Sequence, residues 1–311
     1  MPATDTSKLD RRAASTNAGA GDELVPASTA LRVALIALAS DHGIRGELGL
    51  IFGRRADLHL ARVSAPDNYD LDSLAGTTQG IGRAVKWMGL ATAIDVAAYG
   101  CTSATVAVGE DAVLGSLRAA LPGVPGTTPV TAALAALDHL GARRIVLLTP
   151  YPEPIHRAVA GYFAVRGLEI VDQTNLGLSV DREITEYRAD ELRARILRLD
   201  RRGADAIFVS CTSLRMAVLI PEIEAASGLP LVTSNQALAW HCLKLAGRQA
   251  GSRGSDACWR PGTDDLDRQG LVRSRDWDAP EARAARCSWS AAGAIRPASA
   301  GAFRRARVRR G

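Results

Sequence analysis

Between residues 31 and 247 the chain alternates short apolar runs with longer stretches in which alanine and leucine recur at helical spacing. The apolar runs predict strands at about 32–39, 57–63, 94–100 and 123–128, and again at about 143–149, 167–173, 205–210 and 229–233. The intervening spacing predicts helices at about 104–120, 130–140, 153–166, 187–202, 214–226 and 235–246, with Ser103 and Ser234 as polar N-terminal residues. Strands that alternate with helices imply parallel sheets joined by right-handed crossovers. The expected fold class is α/β: two similar lobes, each a four-stranded parallel sheet flanked by helices, with the active site in the cleft between them. The lobes are expected at residues 31–140 and 141–247, joined near Leu140-Gly-Ala-Arg143 by a connection too short to be a flexible linker.

The two halves repeat each other in detail. Asp95-Val-Ala-Ala-Tyr-Gly-Cys-Thr-Ser103 is echoed by Asp205-Ala-Ile-Phe-Val-Ser-Cys-Thr-Ser213, with Cys101 and Cys211 in register. Gly123-Val-Pro125 and Gly228-Leu-Pro230 each lead into an apolar run, a Thr-Thr or Thr-Ser pair, and an alanine- and leucine-rich helix. Each Cys-Thr-Ser phrase follows an apolar run and precedes a predicted helix. In open α/β sheets that junction is where ligands bind.

Charge is unevenly placed. Residues 248–311 hold 14 Arg, no Lys and 7 acidic residues, a net +7 within a chain total of +5, so residues 1–247 carry −2. The folded part therefore offers no basic stripe for nucleic acid. The Arg-rich tail reads as a disordered extension or as the product of GC-rich DNA translated in a shifted frame. Residues 1–30 lack the apolar core of a secretory signal and read as a disordered leader. No run reaches the length of a membrane span, and five cysteines without Cys-x-x-Cys spacing fit reduced thiols, so a cytoplasmic location is expected.

A cysteine at a strand's carboxyl end and a helix's start should feel the helix dipole and the free backbone N–H groups there, which favours its thiolate as base or nucleophile. The same N–H groups can support a carboxylate or an enolate oxygen. Cys242, inside a predicted helix, reads as a buried small hydrophobe. His42 and His156 have no identified partner and read as bystanders. The run Gly76-Thr-Thr-Gln-Gly80-Ile-Gly82 has the wrong glycine order for a dinucleotide loop, and the five His are never at ligand spacing, so neither nucleotide cofactor nor metal is expected.

Tyr99-Gly-Cys-Thr-Ser103, Thr149-Pro-Tyr151, Ser210-Cys-Thr-Ser213 and Thr233-Ser-Asn-Gln236 resemble the arylmalonate decarboxylase and maleate isomerase branch of the aspartate/glutamate racemase superfamily. Ala37-Leu-Ala-Ser-Asp-His42, Gly123-Val-Pro125, Asp181-Arg-Glu183 and the Thr233–His241 run are most similar to the enzyme of ectoine-utilisation operons. The resemblance covers about residues 31–247. It implies Cys101 and Cys211 as a catalytic pair, Thr102 and Ser103 lining the oxyanion pocket with Tyr151, whose hydroxyl can donate to a substrate carboxylate, Asp41, Arg182, Thr212 and Ser213 as further substrate-binding residues, no cofactor, and a homodimer. Decarboxylating relatives carry glycine at the place of Cys101, so both thiols favour a racemase or isomerase. Maleate isomerases carry asparagine at the places assigned to Asp41 and Arg182. Asp41 would repel a dianion and Arg182 attract one, which points to a substrate with a cationic and an anionic end, such as an ectoine derivative. A decarboxylase that uses Cys211 alone, and a non-catalytic two-lobed binding protein, remain the alternatives.

Overall fold

The computed structural model describes residues 30–66, 70–89 and 93–248. The leader and the Arg-rich tail, with the expectations attached to them, lie outside the described residues.

Among the described residues eight strands form two sheets of identical topology. In the first, β1 (Leu31–Leu38), β2 (Ala56–Val63), β3 (Val96–Gly100) and β4 (Gly126–Thr127) lie in the order β2-β1-β3-β4. In the second, β5 (Arg144–Thr149), β6 (Glu169–Asn175), β7 (Ala206–Val209) and β8 (Leu231–Thr233) lie in the order β6-β5-β7-β8. All pairs are parallel. In each sheet the chain leaves the first strand for one edge and returns to build the other. The loops after the two central strands therefore diverge at the carboxyl edge and leave a crevice there. Those are the loops after β1 and β3, and after β5 and β7.

The helices follow the sequence pattern with five differences, one of them α8 (Asp181–Thr185), a short helix that the pattern does not predict. The predicted helix at 104–120 is two, α4 (Thr102–Val108) and α5 (Glu110–Ala120), separated at Gly109, whose φ of 93° is left-handed and breaks the helical path. Helix α1 (Ile44–Phe52) escaped the pattern because its two glycines interrupt the periodicity. The segment at 76–82 ends α2 (Leu71–Gly76), passes through a 3-10 turn and opens α3 (Ile81–Trp87). The fifth difference concerns Cys211. It is followed by an irregular stretch, and α10 (Ile220–Ser227) begins six residues later than predicted.

Four further helices lie among the described residues. They are α6 (Pro129–His139), α7 (Glu153–Ala164), α8 (Asp181–Thr185) and α9 (Ala189–Arg198). They precede the last helix, α11 (Ser234–Leu245). Helices α6 and α11 pack on each other. Each also reaches the opposite lobe, α6 touching β8 and α11 touching β3 and β4. Thr128 caps α6 by accepting from the Thr131 N–H, with Pro129 in the first turn. Thr233 and Gln236 form a reciprocal capping box on α11. One apolar core runs through both sheets, from Leu31 and Leu35 to Phe208 and Val232, so the two lobes share their interior. Among the described residues no helix is long and apolar enough to cross a membrane.

Candidate active site

The two Cys-Thr-Ser loops meet. Cys101 follows β3 directly and occupies the N-cap of α4, and Cys211 follows β7. Ser234, at the start of α11, lies 3.1 Å from the Thr102 hydroxyl and accepts from the Cys211 backbone N–H at 3.1 Å, which ties one loop to the other. The Thr212 hydroxyl donates to the Gly100 carbonyl at 3.2 Å, again across the lobes. Asn235 donates from Nδ2 to the Thr212 carbonyl at 2.8 Å.

Asp41, in the loop after β1, is 1% exposed. Its Oδ1 accepts from the Gly43 and Ile44 N–H groups at 3.0 and 2.9 Å, and its Oδ2 from the Thr212 hydroxyl at 2.9 Å. Gly43 is required where this loop crosses Ser213, because a Cβ there would stand 2.8 Å from the Ser213 carbonyl oxygen.

The residue that faces this site from α8 is Asp181. It is 4% exposed, and its carboxylate accepts from the Ser213 hydroxyl at 3.1 Å and from the Ser40 hydroxyl. Arg182, the position expected to hold a substrate carboxylate, instead lies on the outer face. Its side chain is 77% exposed and paired with Glu186 one helical turn on. On a five-residue helix adjacent side chains point about 100° apart, so only one of the two can turn inward, and the inner place is filled by the residue with serine donors to meet it.

Both thiols are buried, each 4% exposed. The Cys101 Sγ lies 3.6 Å from the Ser103 hydroxyl. The Cys211 Sγ accepts from the Ser213 N–H at 3.3 Å and shares a hydrogen bond with Tyr151, itself buried. Burial pushes the Cys101 thiol up to about 12, and the Asp181 and Asp41 carboxylates add to the rise against the backbone and Ser103 donors. Burial also drives Cys211 well above the ordinary thiol range, reinforced by the same two carboxylates. The expectation that the helix start would favour thiolate is thereby reversed for the closed site. Loss of hydration outweighs the few N–H groups at Cys101, and no helix begins at Cys211 at all. The same pair of carboxylates acts on both sulfurs. Burial raises Asp41 as well, with repulsion from Asp181 contributing.

The other candidates fall outside this cluster. Cys242 is packed inside α11. His156 is buried, 3.0 Å by its Nδ1 from the Thr149 hydroxyl, and burial lowers its pKa. His42 is exposed. Sequence reasoning missed Asp181, Ser234 and Asn235 as site residues. Each stood inside a quoted motif, and only the fold shows that their side chains converge on the Cys-Thr-Ser loops.

Residues 108–258 match the arylmalonate decarboxylase family, a span that includes Tyr151, Asp181 and Cys211 and begins after Cys101. The arylmalonate decarboxylase of Bordetella bronchiseptica is 32% identical over 133 residues, 42% of this chain and 55% of that protein. The maleate isomerase of Geobacillus stearothermophilus is 28% identical over 158 residues, 48% of this chain and 63% of that protein. The chain thus matches between half and two thirds of the length of these curated relatives. Among solved structures, the Nocardia farcinica maleate cis-trans isomerase bound to TRIS superposes with a TM-score of 0.67 at 21% identity, over 78% of this chain and 100% of that one. Arylmalonate decarboxylase gives a TM-score of 0.59 at 24% identity, over 72% and 96%. This chain has the fold of the maleate isomerases and of arylmalonate decarboxylase. The paired sheets and the doubled strand order are the architecture they share.

Proposed function

We propose that this protein is a cofactor-independent isomerase of a small carboxylate, in which Cys101 and Cys211 act on one bound substrate from its two sides. The observation that carries the reading is the junction of the two Cys-Thr-Ser loops, both tied to Ser234 and joined again by the Thr212 hydroxyl on the Gly100 carbonyl. The likeness to maleate isomerases and to arylmalonate decarboxylase supports chemistry at a cysteine. One solved relative, the Nocardia farcinica maleate isomerase, is described with a covalently bound succinylcysteine intermediate.

Two versions of the reaction fit this site. In the isomerase version the Cys101 thiolate adds to the alkene, giving a stabilised carbanion. The former double bond rotates as a single bond, and the sulfur leaves as thiolate while the double bond re-forms. In the racemase version one cysteine, as thiolate, takes the Cα proton and becomes a thiol. The opposite thiol returns a proton to the other face and becomes thiolate, so the enzyme ends with its protons exchanged. In both, hydroxyl and N–H groups of the Thr-Ser pairs and Tyr151 support the negative charge that develops on the substrate carboxylate. Burial raises both thiols and favours their protonated form in the substrate-free site.

Similarity of motifs to the enzyme of ectoine-utilisation operons directs the proposal towards ectoine or hydroxyectoine derivatives. The test is deuterium incorporation and isomer formation in heavy water, followed by NMR for wild type, Cys101→Ala and Cys211→Ala. Turnover that needs both thiols supports the reading. Turnover that survives Cys101→Ala assigns the chemistry to Cys211 alone and replaces it with the decarboxylase-like alternative.

A further inference from the structure

The two Cys-Thr-Ser phrases fold differently after their cysteines. Behind Cys101 the chain turns at once into α4, where the Thr105 N–H donates to the Cys101 carbonyl at 3.3 Å and closes the first turn. Behind Cys211 no such turn forms before α10, although Leu214-Arg-Met-Ala217 is made of good helix formers. One pair that would close a turn there, the Thr212 carbonyl and the Met216 N–H, is diverted to two side chains. Asn235 donates to the carbonyl at 2.8 Å, and the Glu47 carboxylate accepts from the N–H at 2.8 Å.

Glu47 also accepts from the Ala217 N–H at 2.8 Å. The helical path begins at that point. The Leu219 and Ile220 N–H groups both donate to the Met216 carbonyl, at 2.8 and 3.2 Å, and lead into α10. The N–H groups of Met216 and Ala217 are therefore the orphan donors of a first turn, and a carboxylate on them caps that turn as an N-cap side chain does. A cap of this kind fixes where a helix starts. Here it comes from α1 in the other lobe, 169 residues earlier in the chain, and the glutamate that supplies it is buried. The same two segments meet twice more, where the Thr212 hydroxyl donates to Asp41 at 2.9 Å and where the Gly43 backbone lies against the Ser213 carbonyl.

We infer that Glu47 is a positioning residue for Cys211: by capping α10 at Met216 from the other lobe, it keeps residues 212–215 out of the helix and so holds Cys211 away from a helix start, unlike Cys101. Asn235 secures the other end of the same short segment. The inference deepens the proposed function and rests on it in one respect, that Cys211 is a working thiol. Glu47 touches neither sulfur in this role and acts only through the backbone that carries Cys211.

The test follows alkylation of the full chain by iodoacetamide at pH 7.5 in wild type, Glu47→Leu and Glu47→Gln, with peptide mass spectrometry reading the buried thiols Cys101, Cys211 and Cys242 separately. Leucine removes the acceptor, and glutamine keeps an acceptor oxygen in the same place. Glu47→Leu should speed alkylation of Cys211 at least about tenfold and leave Cys101 and Cys242 within about twofold of wild type, whereas Glu47→Gln should return Cys211 to within about threefold. An unchanged Cys211 in Glu47→Leu, a common acceleration of all three thiols, or a glutamine variant as reactive as the leucine variant overturns the inference. Amide exchange in the wild type reads the cap even where Glu47→Leu fails to fold. Corrected for intrinsic rates, the Met216 and Ala217 N–H groups should exchange at least about tenfold more slowly than those of Asp111 and Ala112 in the first turn of α5, which no N-cap side chain caps. Equal rates overturn the inference. None of these readouts needs turnover, so failure of the two-thiol mechanism, read through the cysteine variants, is distinguished from failure of the cap.

Discussion

Each thiol stands between donors that would favour its anion and an environment that withholds water from it. For Cys101 the balance leaves the pKa at about 12, above an ordinary cysteine, so at neutral pH the closed site holds thiol. Alkylation of Cys101 and Cys211 by iodoacetamide at pH 7.5 should therefore be at least about a hundredfold slower than in the protein unfolded in urea, as mass spectrometry of the labelled peptides would report. Equal rates would show that the thiols are open and ionised. Thr212→Val removes the hydroxyl that meets both Asp41 and the Gly100 carbonyl. It should lower stability by about 1–3 kcal/mol, read by urea unfolding. The pairing of the Cys101 and Cys211 loops was legible because one phrase occurs twice. Asp181 was not, because neighbouring positions in a short helix differ only in which way they face, and Arg182 carried the more conspicuous chemistry.

At the scale of elements the strand pattern translated almost directly, since fully buried runs such as 145–148 and 206–209 have no polar interruption to blur them. Helix boundaries were harder to read wherever glycine or a tertiary bond decides them. The stretch after Cys211 is irregular, and the N–H groups of Met216 and Ala217 within it both donate at 2.8 Å to Glu47, which reaches across from α1. No local pattern announces such a partner 169 residues away. Burial raises Glu47 from 4.5 to about 7. The folded chain thus keeps a proton that the unfolded chain has lost, and stability should fall as pH rises through that window. Glu47→Gln should flatten the slope, gaining up to about 3 kcal/mol over wild type at pH 8 relative to pH 4.5, measured by denaturant midpoints. A slope unchanged by the substitution would assign the pH dependence elsewhere. Gly43→Ala would press a methyl group on the Ser213 backbone and should cost about 1–3 kcal/mol.

Across the whole molecule the internal repeat reappears as two sheets of the same strand order, yet the lobes are not independent. Helices α6 and α11 each pack against the other lobe's sheet, and the core is continuous. Calorimetric and van't Hoff enthalpies of unfolding should therefore agree within error, as for one cooperative unit, and two separated transitions would contradict the shared core. The sequence pattern conveys the repeat because each half obeys the same strand and helix periods. It cannot convey the exchange of terminal helices, which depends on packing between segments more than a hundred residues apart. That exchange brings Ser234 of α11 onto the Cys101 loop as well as its own.

The central claim is that one site uses two thiols. Proton exchange and isomerisation in heavy water, followed by NMR for the wild type, Cys101→Ala and Cys211→Ala with ectoine, hydroxyectoine, aspartate and maleate, tests it most directly. The account predicts turnover of at least one of these by the wild type and a loss of at least about a thousandfold in each single variant. Wild-type turnover retained in Cys101→Ala, or no turnover of any of the four by the folded protein, would contradict it.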